Sequence, residues 1–236
     1  MSGNFWTGWG VTQKGPSHLK NKTSNQDAYK VKIFHWGIVG VVCDGLGSKK
    51  NSHIGSKALV KAVVLASDIF DFETSNIEQF ELLVKSIWEK DIHPYVSSDC
   101  STTLLFTIIK HNKIYIGRVG DGIICILGES NILIEENKDS FTNYTTSFGK
   151  NEKIQWQIID VQKVDSIVFY SDGISEDIQK EKNFMFCEQY VLKYKNKRNK
   201  KREKEIKMWL RKWPVKGHSD DKTIVALVKM DKHEKT

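Results

Sequence analysis

Five short stretches of this chain set aspartate at the boundary of an apolar run, four of them beside glycine or a second carboxylate. Asp27 closes Ser24-Asn25-Gln26-Asp27, and Asp44 follows Val41-Val42-Cys43 and precedes Gly45. Asp121 sits in Val119-Gly120-Asp121-Gly122, Asp172 in Tyr170-Ser171-Asp172-Gly173, and Asp220 with Asp221 in Ser219-Asp220-Asp221-Lys222-Thr223. Runs such as Ile38 to Cys43 and Ile167 to Tyr170 read as buried strands. A carboxylate at the end of such a strand lies near the core, where an unpaired charge is costly. A single Asp-Gly reads as a surface turn, a role both residues favour. The recurrence argues instead that the carboxylates converge, and converging carboxylates repel one another unless cations sit between them.

The order of elements is mixed and mostly strand. Trp6 to Thr12, Ala28 to Phe34 and Gly37 to Cys43 read as strands, and Ile54 to Phe70 as a helix with apolar residues at helical spacing. Ser75 to Lys90 reads as a second helix, with Ser75 as N-cap and Glu78 completing a capping box. Thr102 to Ile109 and Ile114 to Val119 form a hairpin turning at His111-Asn112-Lys113. Ile123 to Leu127, Ile132 to Glu135, Ile154 to Val161, Ile167 to Tyr170 and Thr223 to Met230 complete the strands. With three prolines in 236 residues, no Gly/Ser linker and no internal repeat, the expectation is one α+β domain spanning residues 1–236.

Composition narrows the setting. No stretch approaches the ~20 apolar residues of a membrane span, and the start, Met1-Ser2-Gly3-Asn4, lacks a basic-then-apolar leader. A soluble cytoplasmic protein is expected. Cys43, Cys100, Cys125 and Cys187 are scattered and read as reduced, buried small residues. With no CxxC and no HExxH, a zinc site has no ligand set. The formal charge of +7 is concentrated, because Lys193 to Lys212 alone holds eleven Lys or Arg against two Glu. That segment, 193–213, reads as a solvated basic stretch entering a helix whose apolar face carries Ile206, Trp209, Leu210 and Trp213. Clustered cations attract any polyanion, but without interleaved stacking aromatics a nucleic-acid partner is not expected.

The aspartates, in this order and with these neighbours, resemble the metal-dependent protein phosphatases of type 2C, the PPM family. The likeness runs from about Gly10 to Lys229, weakens between Phe184 and Lys216, and is nearest to small bacterial members whose first motif is Ser-His then Gln-Asp, here Ser17-His18 and Gln26-Asp27. It implies a sandwich of two antiparallel sheets flanked by helices on both sides, with metals in the cleft between the sheets. By the same likeness Asp44 bridges two ions, the Gly45 carbonyl joins it on one, and Asp172 and Asp220 complete the other. Asp121 with Asp172 holds a weaker third ion, and Asp27 positions metal-bound water. Hard oxygen ligands of this kind select Mg²⁺ or Mn²⁺ over zinc. Two such ions ~4 Å apart make a bridging hydroxide that attacks phosphorus in line.

The chain departs from that pattern in places. Where the family has a phosphate-binding arginine stands Lys22, which cannot make the bidentate contact. Gln26 replaces a glutamate, removing a negative charge from one ion's water shell. Leu46 stands where some members have a general-acid histidine, leaving water, His18 or His53 to protonate the leaving oxygen. His18 by itself reads as a structural hydrogen-bonding residue beside the Gly15-Pro16 turn, or as a group reaching the phosphate. In the last motif Asp220 takes the ligand role and Asp221 supports it. Thr102 and Thr103 read as packing beneath the site, and Ser147-Phe148-Gly149 as a segment near the cleft.

The resemblance therefore implies a monomeric Mn²⁺- or Mg²⁺-dependent phosphatase acting on phosphoserine or phosphothreonine in proteins, paired with a cognate Ser/Thr kinase or its targets. The alternative that Lys22 and Gln26 motivate is a catalytically weak, phosphatase-like module that binds a phosphorylated partner.

Overall fold

The computed structural model describes residues 4–136, 146–149 and 153–231. Within these residues ten strands form two five-stranded sheets, antiparallel at every pairing. The first contains β1 (Phe5–Gln13), β10 (Lys222–Met230), β9 (Val164–Tyr170), β6 (Ile123–Gly128) and β7 (Ile132–Ile134), in that spatial order. The second contains β2 (Asp27–Phe34), β3 (Gly37–Asp44), β4 (Leu104–Lys110), β5 (Lys113–Val119) and β8 (Gln155–Asp160).

The sheets face each other across a layer built from Ile38, Val42, Leu105, Ile116, Ile124, Ile167, Phe169 and Leu227. The outer face of the second sheet is covered by α2 (Ser52–Ile69) and α3 (Ile77–Ile92), whose Leu59, Val63, Phe80 and Trp88 pack on Val39, Val41 and Phe106. The outer face of the first sheet is covered by α5 (Asn183–Tyr194) and α6 (Asn199–Arg211), through Tyr190, Tyr194, Ile206 and Leu210 against Trp9, Val11 and Ala226. The central strands are apolar on both faces because each is buried on both, so β4 is buried from Leu104 to Ile109 and reads as a continuous run.

The α3 start lies one residue beyond the expected cap. Asn76, not Ser75, accepts from the Glu78 N–H at 3.1 Å, and Gln79 returns the bond to the Asn76 N–H at 3.2 Å. Both registers satisfy the capping pattern in the letters, but Ser75 N–H is already engaged by the Asp71 carbonyl in the preceding turn. Helix α5 was not anticipated, because its apolar residues are interrupted by Asn183, Glu188 and Gln189 and its buried face includes two tyrosines and an asparagine. The basic stretch is accordingly the end of α5 and the whole of α6, with Ile206 and Leu210 buried and most cations exposed. All four cysteines are buried and unpaired.

Candidate active site

Every predicted acidic residue sits where a strand ends at one end of the sandwich. Asp44 closes β3 and is the register partner of Asp27, which opens β2. Asp121 follows β5 in a turn whose flanking glycines have φ of +86° and +89°, a backbone that L side chains resist. Asp172 follows β9 and begins α4 (Asp172–Ser175). Asp220 and Asp221 directly precede β10. Asp44, Gly45, Asp121, Asp172 and Asp220 line one cleft of about 330 Å³ together with Ser17, His18, Gln26 and Thr103.

The supports of this cleft are main-chain and hydroxyl hydrogen bonds. Thr103 Oγ1 accepts the Asp44 N–H at 3.0 Å, and Thr102 Oγ1 donates to the Asp44 carbonyl at 2.7 Å. Thr103 N–H also donates to that carbonyl at 2.7 Å. The threonines thus hold the Asp44 backbone as well as packing beneath it. Ser171 Oγ donates to Asp27 Oδ2 at 2.8 Å and accepts the Thr223 N–H at 3.1 Å, tying β2 to β10 across the sheets.

Asp221, only 1% exposed, does more than flank its neighbour. Its Oδ1 accepts the Gly15 N–H at 2.7 Å and its Oδ2 the Gln26 N–H at 2.6 Å. His18 Nδ1 lies 2.9 Å from the same Oδ2 without the alignment of a hydrogen bond. One buried carboxylate therefore fixes both segments that carry Ser17, His18 and Gln26 to the cleft. The Gly173 backbone packs so tightly on this corner that a Cβ there would fall 2.0 Å from the Asp221 carbonyl oxygen.

The electrostatics are those of a crowded acidic cluster. Burial, then the charges of Asp27, Asp172 and Asp220, push the Asp44 carboxyl well above the usual carboxylate range. Burial, with Asp121, Asp220 and Glu176 nearby, pushes Asp172 up to about 6, although a hydrogen bond with Asp44 opposes this. Burial and the Asp221 charge push Asp27 up to about 7 against the Thr223 and Ser171 hydrogen bonds. One buried oxygen each of Asp27 and Asp172 has no hydrogen-bond partner. Carboxylates held this way, with unfilled oxygens, offer hard donors that fit divalent cations such as Mg²⁺ or Mn²⁺. His18, Asp220 and Asp221 also offer one ligand atom each within 4.8 Å of one another, but Asp221 is already committed to two backbone donors.

Other predicted residues stand elsewhere. Lys22 is exposed in the turn after α1 (Pro16–Lys20), at φ +54°, and does not line the cleft. His53 lies in the first turn of α2, also outside the lining. Arg118 escaped the sequence reading. It points from β5 into the layer between the sheets, is 3% exposed, and its Nη2 donates to the Gly120 carbonyl beside Asp121. Burial lowers its pKa while Glu136, Asp121 and Glu135 oppose that. An arginine inside an otherwise apolar strand, two residues before Gly-Asp-Gly, was the available signal.

Residues 14–211 match the family model described as Protein phosphatase 2C. The chain belongs to the protein phosphatase 2C family. A putative protein phosphatase of Mycoplasma genitalium is 25% identical over 166 residues, a match spanning 64% of this chain and 60% of that protein's length. Among solved structures, the fold of this 2C-family chain resembles the serine/threonine phosphatase Stp1 of Staphylococcus aureus, with a TM-score of 0.69 at 14% identity over 95% of each chain. It also resembles the catalytic domain of the serine threonine protein phosphatase PstP in complex with two manganese ions, with a TM-score of 0.66 at 15% identity, covering 97% of this chain and 100% of that one. The two antiparallel sheets and the flanking helices are those the resemblance implied. No described helix is long and apolar enough to cross a membrane.

Proposed function

We propose that this chain hydrolyses phosphoserine or phosphothreonine in proteins with the aid of Mn²⁺ or Mg²⁺. The observation that carries the reading is the meeting of Asp44, Asp121, Asp172 and Asp220, drawn from four separate strand ends, around one cleft. Family membership supports it.

Asp44, the Gly45 carbonyl, Asp172 and Asp220 would hold two ions, Asp121 with Asp172 a third, and Asp27 stands behind Asp44 to order water. Bound there, the ions supply an acidified water and neutralise phosphate charge. The chain's own contribution is placement. Thr102 and Thr103 fix the Asp44 backbone, Ser171 fixes Asp27, and Asp221 anchors the segment bearing His18. With Nδ1 turned to Asp221, His18 has Nε2 to hold or give a proton at the leaving serine or threonine oxygen. Carboxylate groups clustered without cations would repel a phosphate, so the unloaded cleft is a poor anion site by construction.

The test is phosphate release from a phosphothreonine peptide with Mn²⁺, Mg²⁺ or EDTA, for wild type beside Asp172→Asn. Turnover that requires metal and falls by about 100-fold or more in the variant is expected, since a lost ligand costs at least as much as a lost outer-shell partner. Metal binding by calorimetry with no turnover under any ion sinks the enzyme reading. It would favour the second reading, a phosphatase-like module that holds a phosphorylated partner, for which the exposed position of Lys22 outside the cleft speaks.

A further inference from the structure

A second cavity, of about 450 Å³, opens on the side edge of the sandwich, away from the acidic cleft. There β1 and β2, each the edge strand of its sheet, lie one above the other, and α6 closes over them. Its walls include Trp9, Tyr29, Lys30, Asn199, Arg202 and Glu203.

The charges in this cavity are out of balance. Arg202 is 5% exposed, and its guanidinium lies over the Trp9 ring at 4.2 Å from the centroid. Its nitrogens donate to the Tyr194 carbonyl, at a long 3.5 Å, and to Asn199 Oδ1. Among the described residues no carboxylate lies within ion-pair distance of it. The adjacent Glu203 is engaged by Lys207 at 2.7 Å. Lys30, exposed on β2, reaches the same cavity. A buried guanidinium without an anion is costly, and the planar fork of arginine matches a carboxylate bidentately. Helix α6, which forms one wall, also carries Lys200, Lys201, Lys204, Lys207 and Arg211, and such clustered cations favour approach of a negative partner.

We propose that this cavity docks an acidic side chain of a protein substrate, at a site separate from the cleft that takes the phosphorylated residue. The inference rests on the phosphatase reading above. Lys30 is three residues along β2 from Asp27, about 10 Å at ~3.3 Å per residue. An extended substrate therefore needs its docked acid at least about three residues along the chain from its phosphoresidue.

Fluorescence anisotropy with labelled hexaglutamate and hexaglutamine, in EDTA, tests the site without turnover. Hexaglutamate is expected to bind tighter than hexaglutamine. Lys30→Glu, at an exposed position, should weaken it about fivefold or more by exchanging attraction for repulsion, and Arg202→Gln about tenfold or more through loss of a charged hydrogen bond. Lys212→Glu, an exposed charge outside the cavity, should change it less than about twofold, because exposed charges are screened. Equal weakening by Lys212→Glu, no weakening by Lys30→Glu, or displacement by free acetate as effective as by peptide would each overturn the proposal. In turnover, Lys30→Glu should raise KM for a phosphothreonine peptide with an acidic flank and leave kcat, and a neutral-flanked peptide, unchanged. Failure of turnover in wild type with the anisotropy pattern intact would refute the phosphatase reading and support the docking site.

Discussion

Replacing Asp221 should damage this protein more than replacing a ligand that merely faces the cleft. Its two oxygens accept the Gly15 and Gln26 N–H groups at 2.7 and 2.6 Å, and the residue is 1% exposed. In Asp221→Ala both donors lose an acceptor that is itself almost fully buried, at about 1–3 kcal/mol each. The sum, about 2–6 kcal/mol, corresponds to a fall in Tm of roughly 4–24 °C for a chain of this size. Asp221→Asn keeps the volume and one acceptor but turns an amide N–H₂ toward the other donor, so about half of that loss is expected, roughly 1–3 kcal/mol. Urea unfolding of wild type and both variants in EDTA, followed by tryptophan fluorescence, measures the difference without contribution from bound ions. Unchanged midpoints for both variants, or an Asn variant as unstable as the Ala variant, would refute the claim that this carboxylate acts through two separate backbone donors.

Three further outcomes follow from the same geometry. Asp44→Asn removes one charge from a buried like-charged cluster, so in EDTA near neutral pH the variant should be more stable than wild type by about 0.5–2 kcal/mol. The order should reverse when Mn²⁺ is added, and paired melting curves with and without the ion would show it. Gly173→Ala places a Cβ 2.0 Å from the Asp221 carbonyl oxygen, a backbone atom that cannot swing aside. A loss of about 1–3 kcal/mol is expected in urea titration, with a fall in phosphate release beyond what the lost stability explains, because Asp172 moves with Gly173. Arg118→Met leaves the Gly120 carbonyl without its donor and removes the cation that acts on Glu136, Asp121 and Glu135. Destabilisation of about 1–3 kcal/mol is expected, and a midpoint within about 0.5 kcal/mol of wild type would show that the guanidinium is not needed there.

The candidate site was legible to the extent that its residues announce themselves locally. An aspartate after a buried run, beside glycine, can be read from its neighbours alone, because strand burial and turn chemistry are short-range properties. So Asp44, Asp121, Asp172 and Asp220 were found, and the strands that carry them lie within a few residues of their expected limits. Features whose meaning depends on distant partners were not legible. Thr102 and Thr103 look like strand filler until Asp44 is laid beside them. Asp221 looks like a duplicate of Asp220 until Gly15 and Gln26, about 200 positions earlier in the chain, are brought to its two oxygens. Arg202 reads as one more cation in a basic run, yet packing places it on the Trp9 ring and out of solvent.

By itself, then, the sequence determined the set of strands, the covering helix pair α2 and α3, and the acidic residues waiting at strand ends. It did so because periodicity, caps and turns depend on near neighbours. Tertiary structure decided which strand ends meet, which hydroxyls and amides hold them there, that Lys22 stands outside the cleft, and that an arginine from the basic helix is buried at the sandwich edge. Those outcomes depend on how two sheets pack face to face, and burial, unlike periodicity, is a property that a residue acquires only from the far parts of its own chain.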